Sequence, residues 1–200
     1  MKIRDVAELA AVLLGKQEII NTGIFTVSEP DEYAQEEIAA NRELQLIIRC
    51  ANLVAKEIAC DYVPLLHTQK IVCGGGTVPY DAFDKTLLEI KTWKVWQNAV
   101  GGGVGGNVNY YTFSDYVEVQ PGEYEVSYTF IPETKGFFDD TDYGGTKISD
   151  RILAYGTAAE FCLISGLYDD ALIWERRYKD ALMIASKKTN AVFLPRRRWW

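Results

Sequence analysis

Residues 122–132 read GEYEVSYTFIP, and their alternation decides the class of fold. Tyr124, Val126, Tyr128 and Phe130 fall on one side of an extended chain, and Glu123, Glu125, Ser127 and Thr129 on the other. Successive side chains of a strand point to opposite faces, so this is a half-buried strand with one wet face. Working outward, QKIVC (69–73), TLLEIKTWKVWQ (86–97) and VNYYTF (108–113) share its β-branched and aromatic character. Glycine-rich turns separate them. Residues 65–135 therefore predict a small antiparallel sheet or barrel.

Helical spacing lies on both sides of this block. Val6, Leu9, Ala10 and Leu13 follow a helical period that Gly15 ends. Ala40, Leu44, Ile47, Ala51, Val54 and Ile58 recur at steps of four and three, one face of a helix predicted from about Asp31 to about Asp61. The preceding EPDEYAQEE (29–37) puts carboxylates where the helix dipole favours them, and Pro64 closes the run. After the sheet, Ser149 is a predicted N-cap for a helix with Ile152, Tyr155, Ala159 and Leu163 on one face. Gly166 breaks it, Asp169 or Asp170 is expected to cap the next, and Ala171, Trp174, Tyr178, Ala181, Leu182 and Ala185 form its stripe. The expected class is α+β. A helical bundle comes from residues 1–64 and 145–190, a small antiparallel β-sheet or barrel is inserted over 65–144, and residues 191–200 form an extended C-terminal arm.

At 200 residues, 48% hydrophobic and 24% charged, the composition is that of a globular chain. The net charge is −7, and −10 once Arg196, Arg197 and Arg198 are set aside. Such a body should repel nucleic acid, because binding along phosphates relies on clustered Lys and Arg. The apolar run near the start is interrupted by Asp5 and Glu8 and lacks a small-residue cleavage site, so it does not read as a signal peptide. No stretch approaches the roughly 20 apolar residues that span a bilayer. Cys50, Cys60, Cys73 and Cys162 are scattered, and are expected to be buried, reduced thiols of a protein made in a cytoplasm.

Candidate chemistry is thin. GGGVGG (101–106) satisfies G-x-G-x-x-G through Gly101, Gly103 and Gly106, but strand-like sequence follows where phosphate binding needs a helix. A hairpin loop is the expected reading. CGGGTVP (73–79) is a second glycine-rich loop, and both suggest segments that order against a partner. FFDDTDYGG (137–145) offers Asp139, Asp140 and Asp142 as Mg²⁺ or Ca²⁺ ligands, but lacks the distal Glu of a calcium loop and reads as a solvated connector. His67 is the only histidine; a Cys–His pair with a thiol such as Cys73 stays open, beside a plain structural role. No cofactor, metal or catalytic residue is expected.

LPRRRWW (194–200) stands apart. Arg and Trp are the types enriched at the energetic centres of interfaces. Arginine forks onto carboxylates, and tryptophan buries a large area with few torsions to freeze. Pro195 cannot continue a helix. Phe193, Leu194, Pro195, Arg196, Arg197, Arg198, Trp199 and Trp200 are therefore the expected partner-binding residues.

Laid out in this order, the chain resembles the head–tail connector (adaptor) proteins of tailed bacteriophages, most of all the tubular connector under the portal of short-tailed phages. The resemblance is carried by AELAAVLLG (7–15), LQLIIRCANLVAKEIACDYVPLL (44–66) and YDAFDKTLLEIKTWKVW (80–96). It continues in the V-x-Y-x-x-x-P ending at Val126, Tyr128 and Pro132, in residues 148–182, and in the Arg/Trp-rich end. It implies a virion structural protein without catalysis, forming a ring of about twelve copies. The implied partners are the portal protein, neighbouring copies, tail or neck proteins below, and genomic DNA passing through the channel without sequence-specific binding. No membrane is implied, and the arm is expected to insert into the portal. The alternatives are another neck or tail-completion protein, or, in a different class, a nucleotide- or metal-dependent enzyme using the Gly-rich or Asp-rich loop.

Overall fold

The computed structural model describes residues 1–27, 30, 32–96 and 106–186. Among the described residues, six α-helices and two three-stranded antiparallel sheets make an α+β fold. Helices α1 (Ile3–Leu13), α2 (Gln17–Asn21), α3 (Glu32–Ala40) and α4 (Arg42–Glu57) precede the strands. Helices α5 (Asp150–Ile164) and α6 (Tyr168–Ser186) follow them.

The two helical ends pack into one layer around α5, which touches α1, α4 and α6. Every residue from Ile152 to Ala159 is buried. A helix that is apolar or small on all sides has to be surrounded. On α6, Ala171, Tyr178 and Leu182 are buried and Trp174, Ala181 and Ala185 partly so, which is the stripe its spacing predicts. Gly15 and Gly166 end α1 and α5 at φ of 68° and 75°, left-handed positions where a side chain is strained.

The helix expected over 31–61 is two helices. Asn41 adopts extended backbone, and its Oδ1 accepts a hydrogen bond from Leu44 N at 3.0 Å, capping α4. Asparagine competes with the backbone for such bonds, so a cap outweighs continuity here. Ala40 consequently leaves the buried face, while Leu44, Ile47, Ala51, Val54 and Ile58 stay on it. The chain then widens into a single π-helical turn, Ile58–Tyr62, before Pro64.

The strands are β1 (Leu65–Cys73), β2 (Thr77–Pro79), β3 (Leu87–Val95), β4 (Tyr111–Thr112), β5 (Tyr116–Glu118) and β6 (Gly122–Phe130). They form two sheets, β1-β6-β3 and β2-β5-β4. β6 is central, so Tyr128 lies between His67 and Ile90. Val78 and Val117 of the smaller sheet, with Val119 just after β5, join Phe83, Trp93, Tyr124 and Tyr128 in the buried cluster. Phe83 meets Tyr128 edge-on at 5.1 Å between ring centroids. Fully burying each of these large apolar side chains stabilises by about 2 kcal/mol. The VNYYTF stretch yields only the two-residue β4, and Thr129 is buried where the alternation had placed it on the wet face.

Beyond β6 the chain returns to the helical layer. Phe137 packs on Phe25 at 5.6 Å, Ile3 N donates to Asp139 O, and Tyr143 Oη donates to Ala55 O at 3.0 Å. Further corrections concern single residues. Leu163 is exposed because it passes the end of the packed layer. α6 starts at Tyr168, so Asp169 and Asp170 lie inside its first turn and do not cap it. Cys60 is exposed, while Cys50, Cys73 and Cys162 are buried and free. Among the described residues, no helix is long and apolar enough to cross a membrane.

Candidate interaction surfaces

Phe193, Leu194, Pro195, Arg196, Arg197, Arg198, Trp199 and Trp200 lie outside the described residues, as do Gly101 and Gly103. Gly106 is described, and the backbone after it runs along β3: Asn107 bridges Lys94 and Val108 N donates to Trp93 O. No helix N-terminus follows the glycines to receive a phosphate. Gly74–Gly76 form a short turn, beside which Val119 N donates to Gly76 O.

The other candidates are held apart. His67 contacts Asp84 at 3.5 Å and packs edge-on against Tyr128 and Phe130. Cys73 sits at the far end of the same strand, its thiol toward Thr77 O and Val119 O. Six residues of strand separate the pair by roughly 20 Å. Asp139 accepts from Gly136 N at 2.7 Å, Asp140 is 74% exposed beside the N-terminal amine, and Asp142 faces Lys135 at 3.7 Å. Three carboxylates with three separate partners do not converge on one ion, and among the described residues no group of three or more His, Cys, Asp or Glu does so.

Two surfaces stand out instead. The first is a cleft of about 810 Å³ between α3, α4 and the segment 134–139. The position of that segment is set by Asn52. Its Nδ2 donates to Ile48 O and Lys135 O, and its Oδ1 accepts from Lys135 N at 2.7 Å. Ile38, Ile48, Leu53, Phe137 and Phe138 make the cleft apolar, and Leu53 is 45% exposed within it. Arg49, Lys56 and Lys135 ring it with positive charge, against Asp139 alone. Lys56 reaches Thr134 Oγ1 at 3.2 Å. A cationic cleft on a chain of net charge −7 is a local reversal of sign.

The second surface is the corner between α5 and α6. Leu163, Ile164, Leu167, Tyr168 and Leu172 are all exposed, Tyr168 at 66% and Leu172 at 65%. Asp169 and Asp170 stand exposed among them in the first turn of α6, where the dipole stabilises carboxylates. The corner is apolar and acidic, as the cleft is apolar and basic.

An ionisable pair lies between α4 and α6. Tyr178 Oη donates to Glu57 Oε2 at 3.2 Å. Burial, opposed by this hydrogen bond and assisted by Glu160 and Asp61, raises the Glu57 carboxyl above its ordinary value. Burial chiefly also pushes the Cys50 thiol up to about 11, which makes it an inert packing group at neutral pH.

The spacing of charges in the sequence did not single out either surface. Arg49, Leu53 and Lys56 share a face of α4 by their i, i+4, i+7 spacing, but packing decides that this face stays open, and Lys135 joins them from 79 positions beyond Lys56. One signal was legible: Asn52, a polar residue inside an apolar helical run. No protein-family model matches the chain, and no curated protein matches it in sequence.

Proposed function

We propose that this chain is a virion structural protein, a ring-forming head–tail adaptor that docks on the portal and links capsid to tail around the DNA channel. The observation that carries this reading is the pair of exposed apolar surfaces of opposite charge on different elements, the cleft at α4 and the corner of α5 and α6. A closed ring needs two different complementary faces on each copy, whereas a two-fold dimer needs only one. The order of helices, inserted sheet and helices agrees with the resemblance. In this reading, residues Phe193 to Trp200 insert into the portal, arginines on carboxylates and tryptophans in an apolar groove. The acidic body suits a channel whose wall must not hold passing phosphates.

The test compares the full chain with a chain ending at Leu194, using the cognate portal ring and negative-stain microscopy. The expected result is a ring of density on the portal for the full chain, lost on truncation with an unchanged melting temperature. Equal docking by both chains removes the arm from the proposal, and docking by neither removes the adaptor. A thermal-shift titration with NAD or Mg²⁺ separates the enzyme class, since a ligand that binds the folded state raises Tm by mass action. No saturable rise is expected.

A further inference from the structure

We infer that the α5–α6 corner of one copy docks in the α4 cleft of the next, so that the two surfaces form a head-to-tail contact of the ring. The inference rests on the ring reading above and adds which faces meet. Its first ground is charge. Asp169 and Asp170 project from the corner, while Arg49, Lys56 and Lys135 rim the cleft. Among the described residues, none of Arg49, Lys56, Asp169 and Asp170 forms an ion pair, so within that part of the copy their charges face no opposite charge. Lys135 is shared with Asp142 at 3.7 Å, and Asp139 is engaged by Gly136 N, which leaves the rim positive.

The second ground is shape and polarity. Leu167, Tyr168 and Leu172 make a convex apolar corner, and Leu53 and Phe138 line a concave apolar cleft of about 810 Å³. Apolar anchors seated in a pocket with charges at the rim are the usual anatomy of an interface. The third ground is placement. Cleft and corner share no residue, so one copy can give its corner to one neighbour and its cleft to another. Such a contact propagates as a ring or filament and does not stop at two copies.

The test uses the full chain and two charge reversals, Arg49→Glu with Lys56→Glu in the cleft, and Asp169→Lys with Asp170→Lys at the corner. Sedimentation velocity over a concentration series into the high-micromolar range reads association. The wild-type chain is expected to associate beyond dimers, more weakly at high salt, and each reversed chain to lose association by about tenfold or more. Mixing the two reversed chains restores both types of contact, native and reversed, so alternating assemblies are expected from partners that do not associate alone. Leu172→Ser is a second corner variant that keeps the first-turn charge of α6, with circular dichroism checking the fold of every variant.

A wild-type chain that stays monomeric throughout, association indifferent to both reversals, a limit at dimers, or failure of the mixture each overturns the contact. The two proposals also separate. Portal docking without restored mixing keeps the adaptor and removes this contact, while restored mixing without portal docking keeps the contact and removes the adaptor.

Discussion

Asn52 on α4 holds Lys135, 83 residues later, by both of its backbone polar groups: Nδ2 donates to Lys135 O at 2.9 Å and Oδ1 accepts from Lys135 N at 2.7 Å. A side-chain amide carries an acceptor oxygen and a donor NH2 side by side in one planar group, which matches a backbone N–H and C=O. Since the segment it holds forms one wall of the cleft, a fold-stabilising contact also shapes the candidate interface.

Asn52→Ala is expected to destabilise by about 2 kcal/mol, because it leaves the Lys135 N–H and C=O without their partner in a part-buried place. Urea unfolding measures the loss. Hydrogen exchange should show faster opening at residues 134–139 than in α5, since the clamp acts on that segment; uniform acceleration would contradict the local role.

Gly156 on α5 lies where α4 and α6 both come close. A Cβ there would lie 2.6 Å from Val54 Cγ1 and 3.0 Å from Tyr178 Cε2. Gly156→Ala gains roughly 1 kcal/mol of helix propensity. It is expected to lose more, about 1–3 kcal/mol, to overpacking. The net effect is a lower melting temperature. Combining it with Val54→Ala should recover part of the loss, and strict additivity in that double-mutant cycle would show that the two sites do not touch.

Glu57 sets a pH dependence. Its folded value is raised, so between the ordinary 4.5 and that raised value the folded state binds more protons than the unfolded state. Stability from this group is therefore present at acid pH and lost as pH rises through the window. Glu57→Gln, which keeps an acceptor for Tyr178, is expected to raise Tm at pH 7 and flatten this part of the profile. Tyr178→Phe removes the bond that favours the charged form and should steepen it. An unchanged profile in both variants would place the titration elsewhere.

The acidic segment divides by residue. Asp140→Asn is expected to change stability by less than about 0.5 kcal/mol, as for exposed ion pairs. Asp139→Asn weakens a charge-assisted bond to Gly136 N and should cost about 1 kcal/mol. Thermal melts of the two variants, with and without Mg²⁺, check this; a metal-dependent difference would turn the connector into a cation site.

Much of this architecture follows from local pattern. Alternation at 122–130 and the stripe from Ala171 to Ala185 correspond to β6 and α6, because period two and period 3.6 each allow only one way of burying those residues. Other features needed contacts across the chain. Asn41 could continue a helix or cap one, and the hydrogen bond from Leu44 N to its Oδ1 shows which it does. Val54, Gly156 and Tyr178 meet because three helices converge on a position without a Cβ. The cleft combines residues around 38, 49 and 135, and the charge of a surface is a sum over neighbours in space. Periodicity assigns a residue to a face of its own helix or strand. Which faces are then covered, and which remain open with opposite charge, depends on how those elements pack.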